Sequence, residues 1–297
     1  MRHISLFLVV TLLCCVGCRI DVHQQTDFFN GEMSYLYEDA EQYTSAEDFV
    51  VTEAVSVIHV DWIFDNVIVR RYDGSGIRCY ETNSHSNDTT RMRYRVDGDK
   101  CDVRCCQSGR YDRSPFQTAQ TKVLTILLPQ GLQLDTLHIH AVSADISIDS
   151  SCSSNLVIET INGDIEVSNC KSRGITIRNI SGDVAIRHCV DDSINVENLS
   201  GDIDIVACGA SRFVVSNVSG DISFAKCNGS DFVVTTISGY VEIEVFDDNF
   251  VIFYNTVSGV FRSDMHVVKK GSTYMSGDGS RKYHINTVSG DVDVEIE

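Results

Sequence analysis

Carboxylates recur at one fixed interval in the second half of the chain, and a row of carboxylates could bind a cation or a glycan. Five aspartates follow one another every nineteen residues and a sixth stands near the end: Asp145, Asp164, Asp183, Asp202, Asp221 and Asp291. Calcium takes roughly six to eight converging oxygen ligands, which one Asp per repeat does not supply. We therefore expect exposed carboxylates that hydrogen-bond to their own turns.

Cysteines form a second row with the same spacing. They are Cys170, Cys189, Cys208 and Cys227. Phe246 takes the same place in the next repeat, so we expect this position to be apolar and inward. Zinc needs a tetrahedral set of ligands, which in-register neighbours do not form. The row predicts buried free thiols, or an occasional disulfide between repeats, and no metal site.

A separate group of cysteines precedes the repeats. Its members are Cys79, Cys101, Cys105 and Cys106. In an exported protein this spacing suggests disulfides that fix a long loop, with a metal cluster as the alternative. Nine cysteines follow Cys18, and because that number is odd at least one thiol stays free or pairs outside the chain.

Catalytic groups are scattered rather than clustered. His138 and His140 alternate along one predicted strand, while His188, His266 and His284 stand apart. Ser-Gly-Asp also lacks the Gly-x-Ser-x-Gly elbow of a serine nucleophile. We therefore predict no catalytic residue, no cofactor and no enzyme activity.

One stretch of this acidic chain is basic. An insertion at 267–282 carries Lys269, Lys270, Arg281 and Lys282. We expect it to project from the body as a hairpin or loop, and loops on rigid scaffolds often carry binding sites. A solvated loop tip without a partner is the alternative.

A nineteen-residue unit positions all these groups. Its turn is Asn-Gly-Asp or Ser-Gly-Asp, at Gly163–Asp164, Gly182–Asp183, Gly201–Asp202, Gly220–Asp221 and Gly290–Asp291. Apolar columns stand two and five places before each glycine, and two and four places after it. The column two places before comprises Val142, Ile161, Ile180, Leu199, Val218, Ile237, Val257 and Val288. We expect all these columns to face inward, on strands that flank the turn.

Such a period is the signature of a stacked array whose units bury their apolar faces against each other. The sequence predicts an all-β, single-stranded parallel β-solenoid with coils of about nineteen residues. The regular solenoid is expected at 136–297. Residues 49–135 are predicted to be irregular β structure, as distorted early coils that cap the stack or as a separate small domain.

The N-terminus predicts export. Arg2 and His3 precede an apolar run that is too short to span a bilayer, so residues 1–17 are predicted to be a signal peptide. Gly17-Cys18 resembles the cleavage site of bacterial lipoproteins, which implies a lipid on Cys18 and attachment to a membrane. Ordinary secretory cleavage or an uncleaved anchor are the alternatives. Residues 18–48 would then include an acidic tether.

The net charge of −18 argues against a nucleic-acid partner, which normally meets a basic face. It suits a solvated, extracytoplasmic surface.

From residue 49 onward the chain resembles the bacterial putative-adhesin family, a domain of unknown function. The resemblance rests on an early strand pair, on Leu-Pro-Gln-Gly at 128–131, and on the Ser-Gly-Asp repeats. It implies a surface role by analogy only.

We therefore predict a non-enzymatic, exported and lipid-anchored rod of the cell envelope that binds a protein or a glycan. A carbohydrate-active β-helix enzyme and an envelope-stress sensor or scaffold remain the alternatives.

Overall fold

The structure, a computed structural model, describes residues 33–83, 87–111 and 121–296. Within these ranges the chain forms strands joined by turns, with one 3-10 turn at Ala40–Gln42. No helix in this part of the chain is long and apolar enough to cross a membrane. The predicted signal peptide at 1–17 and the predicted lipid site at Cys18 lie outside the described residues.

The strands fall into three groups along the chain. The first group is β1 (Met33–Tyr35), β2 (Thr44–Ser45), β3 (Asp48–Val51), β4 (Val57–Tyr72), β5 (Ile77–Asn83), β6 (Arg93–Asp97), β7 (Lys100–Arg104), β8 (Gly109–Tyr111) and β9 (Lys122–Pro129). The second is β10 (Leu134–Asp149), β11 (Ser153–Asn162), β12 (Ile165–Ser168), β13 (Gly174–Ser181), β14 (Val184–Arg187), β15 (Val190–Ser200), β16 (Ile203–Val206), β17 (Gly209–Ser219), β18 (Ile222–Ala225), β19 (Asp231–Ser238) and β20 (Val241–Val245). The third is β21 (Phe250–Asn255), β22 (Phe261–Ser263), β23 (Val268–Lys270), β24 (Thr273–Ser276), β25 (Arg281–Ser289) and β26 (Val292–Ile296).

Two strands and the turn between them form most of one layer of a stack. β11 and β12 flank Gly163, and β13 and β14 flank Gly182. Their first strands pair in parallel with Ile158 opposite Ile177, and the second strands pair with the same offset of nineteen residues. The offset continues through the layers β15–β16, β17–β18 and β19–β20. The chain is a parallel β-solenoid, and this confirms the predicted fold class.

The core runs along the axis of the stack. Val and Ile from every layer fill it, since β-branched side chains suit a pleated, packed surface. Towards the C-terminal end the rings of Phe213, Phe232 and Tyr283 stack on one another at centroid distances of 4.6 and 4.5 Å. Burial of apolar area contributes about 25 cal/mol per Å², so each added layer stabilises the next.

One predicted column faces the wrong way. The residues two places before the turn glycine were expected inside, but Leu199 is 46% exposed and Val257 is 63% exposed. The buried position is three places before the glycine, where Asn179 and Asn198 lie. Side chains alternate along a strand, so the two positions cannot both face the core. The carbonyl groups of the turn need a hydrogen-bond donor. Asn supplies one and an aliphatic side chain does not, so the Asn position faces inward.

Residues 49–135 build layers of the same stack. β4 pairs in parallel with β10, with Ile58 opposite Leu137 and Ile68 opposite Ser147. On the other side of β4, β7 and β9 together form the next layer. Antiparallel strands β5 and β6 then cover β9 and β7. The chain therefore starts with the second layer and adds the first one later.

The C-terminal end is also out of order. β25 and β26 pair with β19 and β20 on one side, and with β21 and β22 on the other. The last Ser-Gly-Asp turn, at Gly290, consequently lies between the turns of Gly239 and Gly259. The insertion predicted at 267–282 forms β23 and β24, and β24 pairs with β21 instead of projecting freely. Arg281 and Lys282 belong to β25 and so to the stack itself.

Candidate partner-binding face

The turn glycines form a column in which only glycine fits. Gly182 and Gly201 both have a φ of 125°, a conformation that L side chains rarely adopt. A Cβ atom built on Gly201 would lie closer to the carbonyl oxygen of Gly182 than Cβ atoms lie to non-bonded atoms in real proteins. Successive turns therefore lie directly on one another, and this stacking produces a straight corner along the rod.

The aspartates after these glycines link the layers. The Oδ1 atom of Asp164 accepts a hydrogen bond from the backbone N–H of Asp183 at 2.9 Å, and that of Asp183 from Asp202 at 2.8 Å. The same bond joins Asp145 to Asp164, Asp202 to Asp221 and Asp221 to Tyr240. Each carboxylate thus bonds to the turn of the next layer and not to its own, and all of these aspartates are exposed.

We call Asp145, Asp164, Asp183, Asp202 and Asp221 the carboxylate column. None of the five forms an ion pair with any residue that the structure describes. Neighbouring members are one layer apart, roughly 4.8 Å, so their charges repel. The sixth predicted member differs, since Arg262 Nη1 lies 2.9 Å from Asp291 Oδ2. The N–H of Val260 and this guanidinium lower the pKa of Asp291.

Beside the carboxylate column runs a row of aliphatic side chains that we call the aliphatic ridge. In spatial order its members are Ile161, Ile180, Leu199, Val218, Ile237, Val288 and Val257. Each is half-buried or exposed on the outer face. At a layer spacing of about 4.8 Å the ridge is ~29 Å long. Its N-terminal continuation, Val142 and Ile63, is buried.

Asparagines hold the corner from inside. Asn179 Nδ2 donates to the carbonyl oxygens of Gly163 and Gly182, both at 3.2 Å. Asn198 and Asn217 repeat these bonds one and two layers further on. The nineteen-residue recurrence of Asn was visible in the sequence, but its inward direction was not.

The cysteine row lies inside the stack. Cys170, Cys189, Cys208 and Cys227 are buried and free, and each Sγ contacts a backbone carbonyl oxygen, as Cys208 does with Val206 at 3.3 Å. Burial raises the pKa of the Cys227 thiol to about 11. Phe246 was expected inside at the next layer, but it is 44% exposed because the chain leaves the regular stack after β20.

A second corner precedes these thiols. Asn169, His188, Ala207 and Lys226 have φ values of 53–55°. Asn and His are enriched in this left-handed conformation, whereas Ala and Lys are not. The nineteen-residue spacing was the one signal that could have revealed this corner in the sequence.

The N-terminal cysteine group is reduced in this structure. Cys79, Cys101, Cys105 and Cys106 are all buried, and none of them forms a disulfide within the described residues. Burial raises the pKa of Cys101 to about 12, which keeps its thiol protonated and unreactive. The disulfides that the spacing suggested stay a prediction.

The basic residues do not form one patch. Lys269 lies over the ring of Tyr274 at 4.9 Å, on β23 and β24. Arg281 pairs with Asp247 at 3.2 Å on β25, and Lys270 and Lys282 are exposed. The predicted binding loop is therefore divided between the terminal hairpin and the stack.

A histidine–carboxylate cluster near the N-terminal end was missed by the sequence analysis. Parallel pairing places His59 beside His138, and Asp61 beside His140. The rings of His59 and His138 stack at 4.9 Å, and His140 Nδ1 lies 3.2 Å from Asp61 Oδ1. These contacts join β4 to β10. The register of this strand pair could not be deduced from the sequence, because the sequence does not show that β4 lies beside β10.

Metal-binding geometry is absent from the part of the chain that the structure describes, where no group of three or more His, Cys, Asp or Glu could hold an ion. An open cleft of about 390 Å³ lies at the C-terminal turns, lined by residues such as Tyr240, Ser258 and Asp291.

Comparison with known proteins identifies the family. Residues 66–295 match the sequence model of the Toastrack family, DUF4097, and the chain belongs to this family of domains of unknown function. This agrees with the resemblance to putative adhesins noted above. No curated protein matches the chain.

Two solved structures are similar over 86% of this chain. One is a putative adhesin from Bacteroides fragilis, with 11% identity, 98% of that chain covered and a TM-score of 0.48. The other is a putative cell adhesion protein from Clostridium sporogenes, with 9% identity, 100% of that chain covered and a TM-score of 0.30. Both scores are below 0.5, so neither likeness supports an argument about this chain.

Proposed function

We propose that this protein is a non-enzymatic, exported binding module that functions in adhesion. It presents one straight corner of its solenoid to a binding partner. The observation that carries this proposal is the pairing of the aliphatic ridge with the carboxylate column. Apolar side chains that continue along a surface mark interaction sites. A row of carboxylates without cations nearby favours a partner that brings positive charge.

The solenoid suits this role because its parts are fixed relative to one another. The glycine contacts, the Asp-to-amide bonds and the Asn bonds all repeat in register. A partner that spans several layers would therefore meet a surface that is already ordered. Binding to such a surface loses little conformational entropy.

Attachment to a membrane through Cys18 belongs to the same proposal, as do the signal peptide at 1–17 and an extracytoplasmic location. The sequence of the N-terminus supports them. A Cys18→Ala variant is expected to leave the membrane fraction. Continued membrane association of this variant would contradict the lipid anchor.

The binding face is tested with a ridge variant that carries Ile180→Ser, Leu199→Ser and Val218→Ser. The probe is the envelope fraction of the source organism, applied to beads that carry the full chain. The matched control carries Val157→Ser, Val214→Ser and Val233→Ser, which replace half-buried aliphatic side chains of another outer row. Loss of capture with the ridge variant alone, together with weaker capture at high salt, is expected.

Equal capture by the ridge variant and the control would contradict this binding face. Turnover of an acidic glycan by the purified chain would contradict the non-enzymatic role and favour the carbohydrate-active alternative. A role as a sensor or scaffold of envelope stress differs only in the partner, which cross-linking to the wild-type corner would identify.

A further inference from the structure

The N-terminal strap, residues 35–45, packs against the first layers, and the side chain of Tyr35 is fully buried there. β1 pairs with β8, and β2 pairs with β6, each in antiparallel fashion. Three tyrosines of the strap pack edge to face, with ring centroids 5.4 Å apart for Tyr35 and Tyr37 and 5.1 Å apart for Tyr37 and Tyr43. The strap connects the N-terminal part of the chain to the solenoid.

Two arginines of the solenoid hold the strap. The guanidinium of Arg104 lies over the rings of Tyr37 and Tyr43, at 5.3 and 5.7 Å. That of Arg95 lies over Tyr43 at 5.0 Å and donates to Gln42 Oε1 at 2.9 Å. Cation–π contacts of this kind are attractive, so the two arginines add to the hydrogen bonds that Tyr35 Oη donates to the Asp61 carbonyl and Tyr37 Oη donates to the Cys106 carbonyl.

Two buried carboxylates position these arginines. Arg104 pairs with Asp61, and Arg95 Nη2 donates to Asp102 Oδ2 at 3.2 Å. The side chains of Asp61 and Asp102 are 6% and 1% exposed. An ion pair shielded from water in this way is strong, and it is sensitive to any new charge beside it.

Histidines contact the same carboxylates from the other side. His59 Nδ1 lies 3.2 Å from Asp102 Oδ1, and His140 Nδ1 lies 3.2 Å from Asp61 Oδ1. Each carboxylate therefore stands between an arginine that holds the strap and a histidine. Histidine is the side chain whose ordinary charge change falls between pH 5 and pH 8.

The charges around this cluster are nearly balanced while the rings are neutral. The cations are Lys100 and Arg104 of β7, Arg95 of β6 and Arg178 of β13. The carboxylates are Asp39, Asp61, Asp102, Glu159 and Glu197. The third ring, His138, stacks on His59 and lies 3.1 Å from Glu159 Oε2. Protonation of all three rings would change an excess of one negative charge into an excess of two positive charges.

We propose that the histidine–carboxylate cluster is an acid-sensitive latch, in which protonated His59 and His140 displace Arg95 and Arg104 from their carboxylates and release the strap. A histidinium contacts Oδ1 of the carboxylate whose Oδ2 the arginine contacts, so two cations then share one negative charge. It also adds positive charge beside arginines that have lost their counter-ions. The arginines then turn to solvent, and the tyrosines lose the cations that cover them.

The direction of the pH dependence follows from burial. Burial lowers the pKa of both His59 and His140 below the ordinary value of 6.5. The docked state therefore binds fewer protons than the released state. Docking is complete above about pH 6.5 and weakens as the pH falls below it, because the released state gains the protons.

Release of the strap would lengthen the connection between the solenoid and the N-terminus. Eleven residues in extended form span at most about 40 Å. If the anchor at Cys18 holds, acid would let the binding corner extend further from the membrane. The latch itself does not depend on the anchor or on the proposed partner.

The test measures hydrogen exchange of the full chain by mass spectrometry at pH 7.5 and pH 5.0, as protection factors that correct for the intrinsic effect of pH. Peptides from 35–45 are expected to lose at least tenfold in protection at pH 5.0. Peptides from β15 to β18 serve as the internal reference and should not change. Constant protection of the strap in the wild-type chain would overturn the latch.

A double variant, His59→Gln and His140→Gln, keeps an amide donor beside each carboxylate and removes the titration. Its strap should be equally protected at both pH values. His284→Gln is the matched control, because His284 stacks on Phe253 at the other end of the solenoid and its variant should keep the wild-type response. A full response in the double variant would overturn the proposal.

Arg95→Gln provides a second route if the reference strands of the double variant lose protection. This exchange removes the nearer of the two cations over Tyr43 and changes no histidine. Its strap should already be at least tenfold less protected at pH 7.5. Wild-type protection of the strap in this variant would overturn the assignment of Arg95 to the latch. None of these measurements involves a binding partner, so their outcome does not depend on whether the proposed binding face is correct.

Discussion

The strands in the middle of the solenoid and those at its two ends find their pairing partners in different ways. From β11 to β20 each layer takes its neighbour from the next nineteen residues, in parallel and in register. At the ends the nearest neighbours come from elsewhere in the chain. β5 and β6 cover the first layer in antiparallel fashion, and β24 covers β21 in the same way.

The difference shows what an end requires. An unpaired strand edge invites pairing with other chains, and a parallel layer cannot cover its own edge. Antiparallel strands can, since they return along the layer that they cover. The ends also contain a buried ion pair, Lys122 Nζ with Glu81 Oε2 at 2.5 Å, where the middle layers use Val, Ile and thiols. Regular layers provide length, and irregular ends prevent further growth.

The order of layers at the C-terminal end can be tested in an all-or-none way. Ser238 and Ser289 are in register between β19 and β25, so cysteines at both positions should form a disulfide under mild oxidation. Ser258 lies one layer further away. The pair Ser238→Cys with Ser258→Cys should therefore stay reduced, although these two residues are closer in sequence. Peptide mapping by mass spectrometry distinguishes the two outcomes.

A disulfide between positions 238 and 258 would show that the layers follow the sequence, and the inserted position of β25 and β26 would be wrong. Replacing the native cysteines is unnecessary, because mapping identifies the two new thiols by mass.

Glycine in a middle turn should matter far more than glycine in an end turn. Gly201→Ala places a Cβ against the Gly182 carbonyl and forces φ 125° on alanine, so we expect a loss of about 4 kcal/mol or more. Gly98→Ala, between β6 and β7, meets no atom within 4 Å at φ 60° and should cost about 1 kcal/mol. Urea denaturation measures both. Similar losses would contradict the stacked corner.

The asparagine bonds predict a smaller effect. Asn198→Ala removes two hydrogen bonds, one to the Gly182 carbonyl and one to the Gly201 carbonyl, and should cost about 1–3 kcal/mol in free energy of unfolding. Each carbonyl keeps one side-chain donor, Asn179 or Asn217. Asn195→Ala on the outer face of the same strand is the control, with an expected change within ~0.5 kcal/mol. If both variants lose the same amount, the inward asparagines do not hold the corner.

The smallest effect depends on pH. Burial raises the pKa of Asp191 to about 6, although Ser172 donates to it. The folded state thus holds this proton to higher pH than the unfolded state, and stability falls as the pH rises from about 4 to about 6. Asp191→Asn should add about 1–2 kcal/mol at pH 8 and little at pH 4.

Asp192→Asn, at the exposed neighbouring position, is the control and should show no such difference. Urea titrations of both variants at the two pH values are sufficient. A gain for Asp191→Asn that is equal at pH 4 and pH 8 would contradict the buried carboxylate.

The sequence predicted the middle of the fold because one period controlled it. Val, Ile and Cys at fixed distances from glycine fixed the layer length and most of the core. The ends were not predictable in this way, since the pairing of β4 with β10, or of β25 with β19, leaves no periodic mark. Likewise, the apolar column two places before the glycine was predicted to lie in the core, because Ile is buried more often than Asn.

The candidate site was predictable in part. Asp183 and its equivalents were found from their spacing, but their bond to the next layer required the vertical alignment of turns. The aliphatic ridge was found as residues and placed on the wrong side of the strand. The histidine cluster needed three strands that are far apart in sequence, so no local pattern indicated it.

The position of β25 and β26 has a consequence for how this molecule assembles. A ribosome produces residues 250–263 before residues 281–296, yet the later segment lies inside the earlier one. The outermost layer can therefore settle only after the strands that follow it have entered. At the opposite end β4 is made before the strands that later pair with it on both flanks. Assembly that starts at one terminus and proceeds steadily to the other is therefore impossible for this chain, and final closure must wait for its last strands.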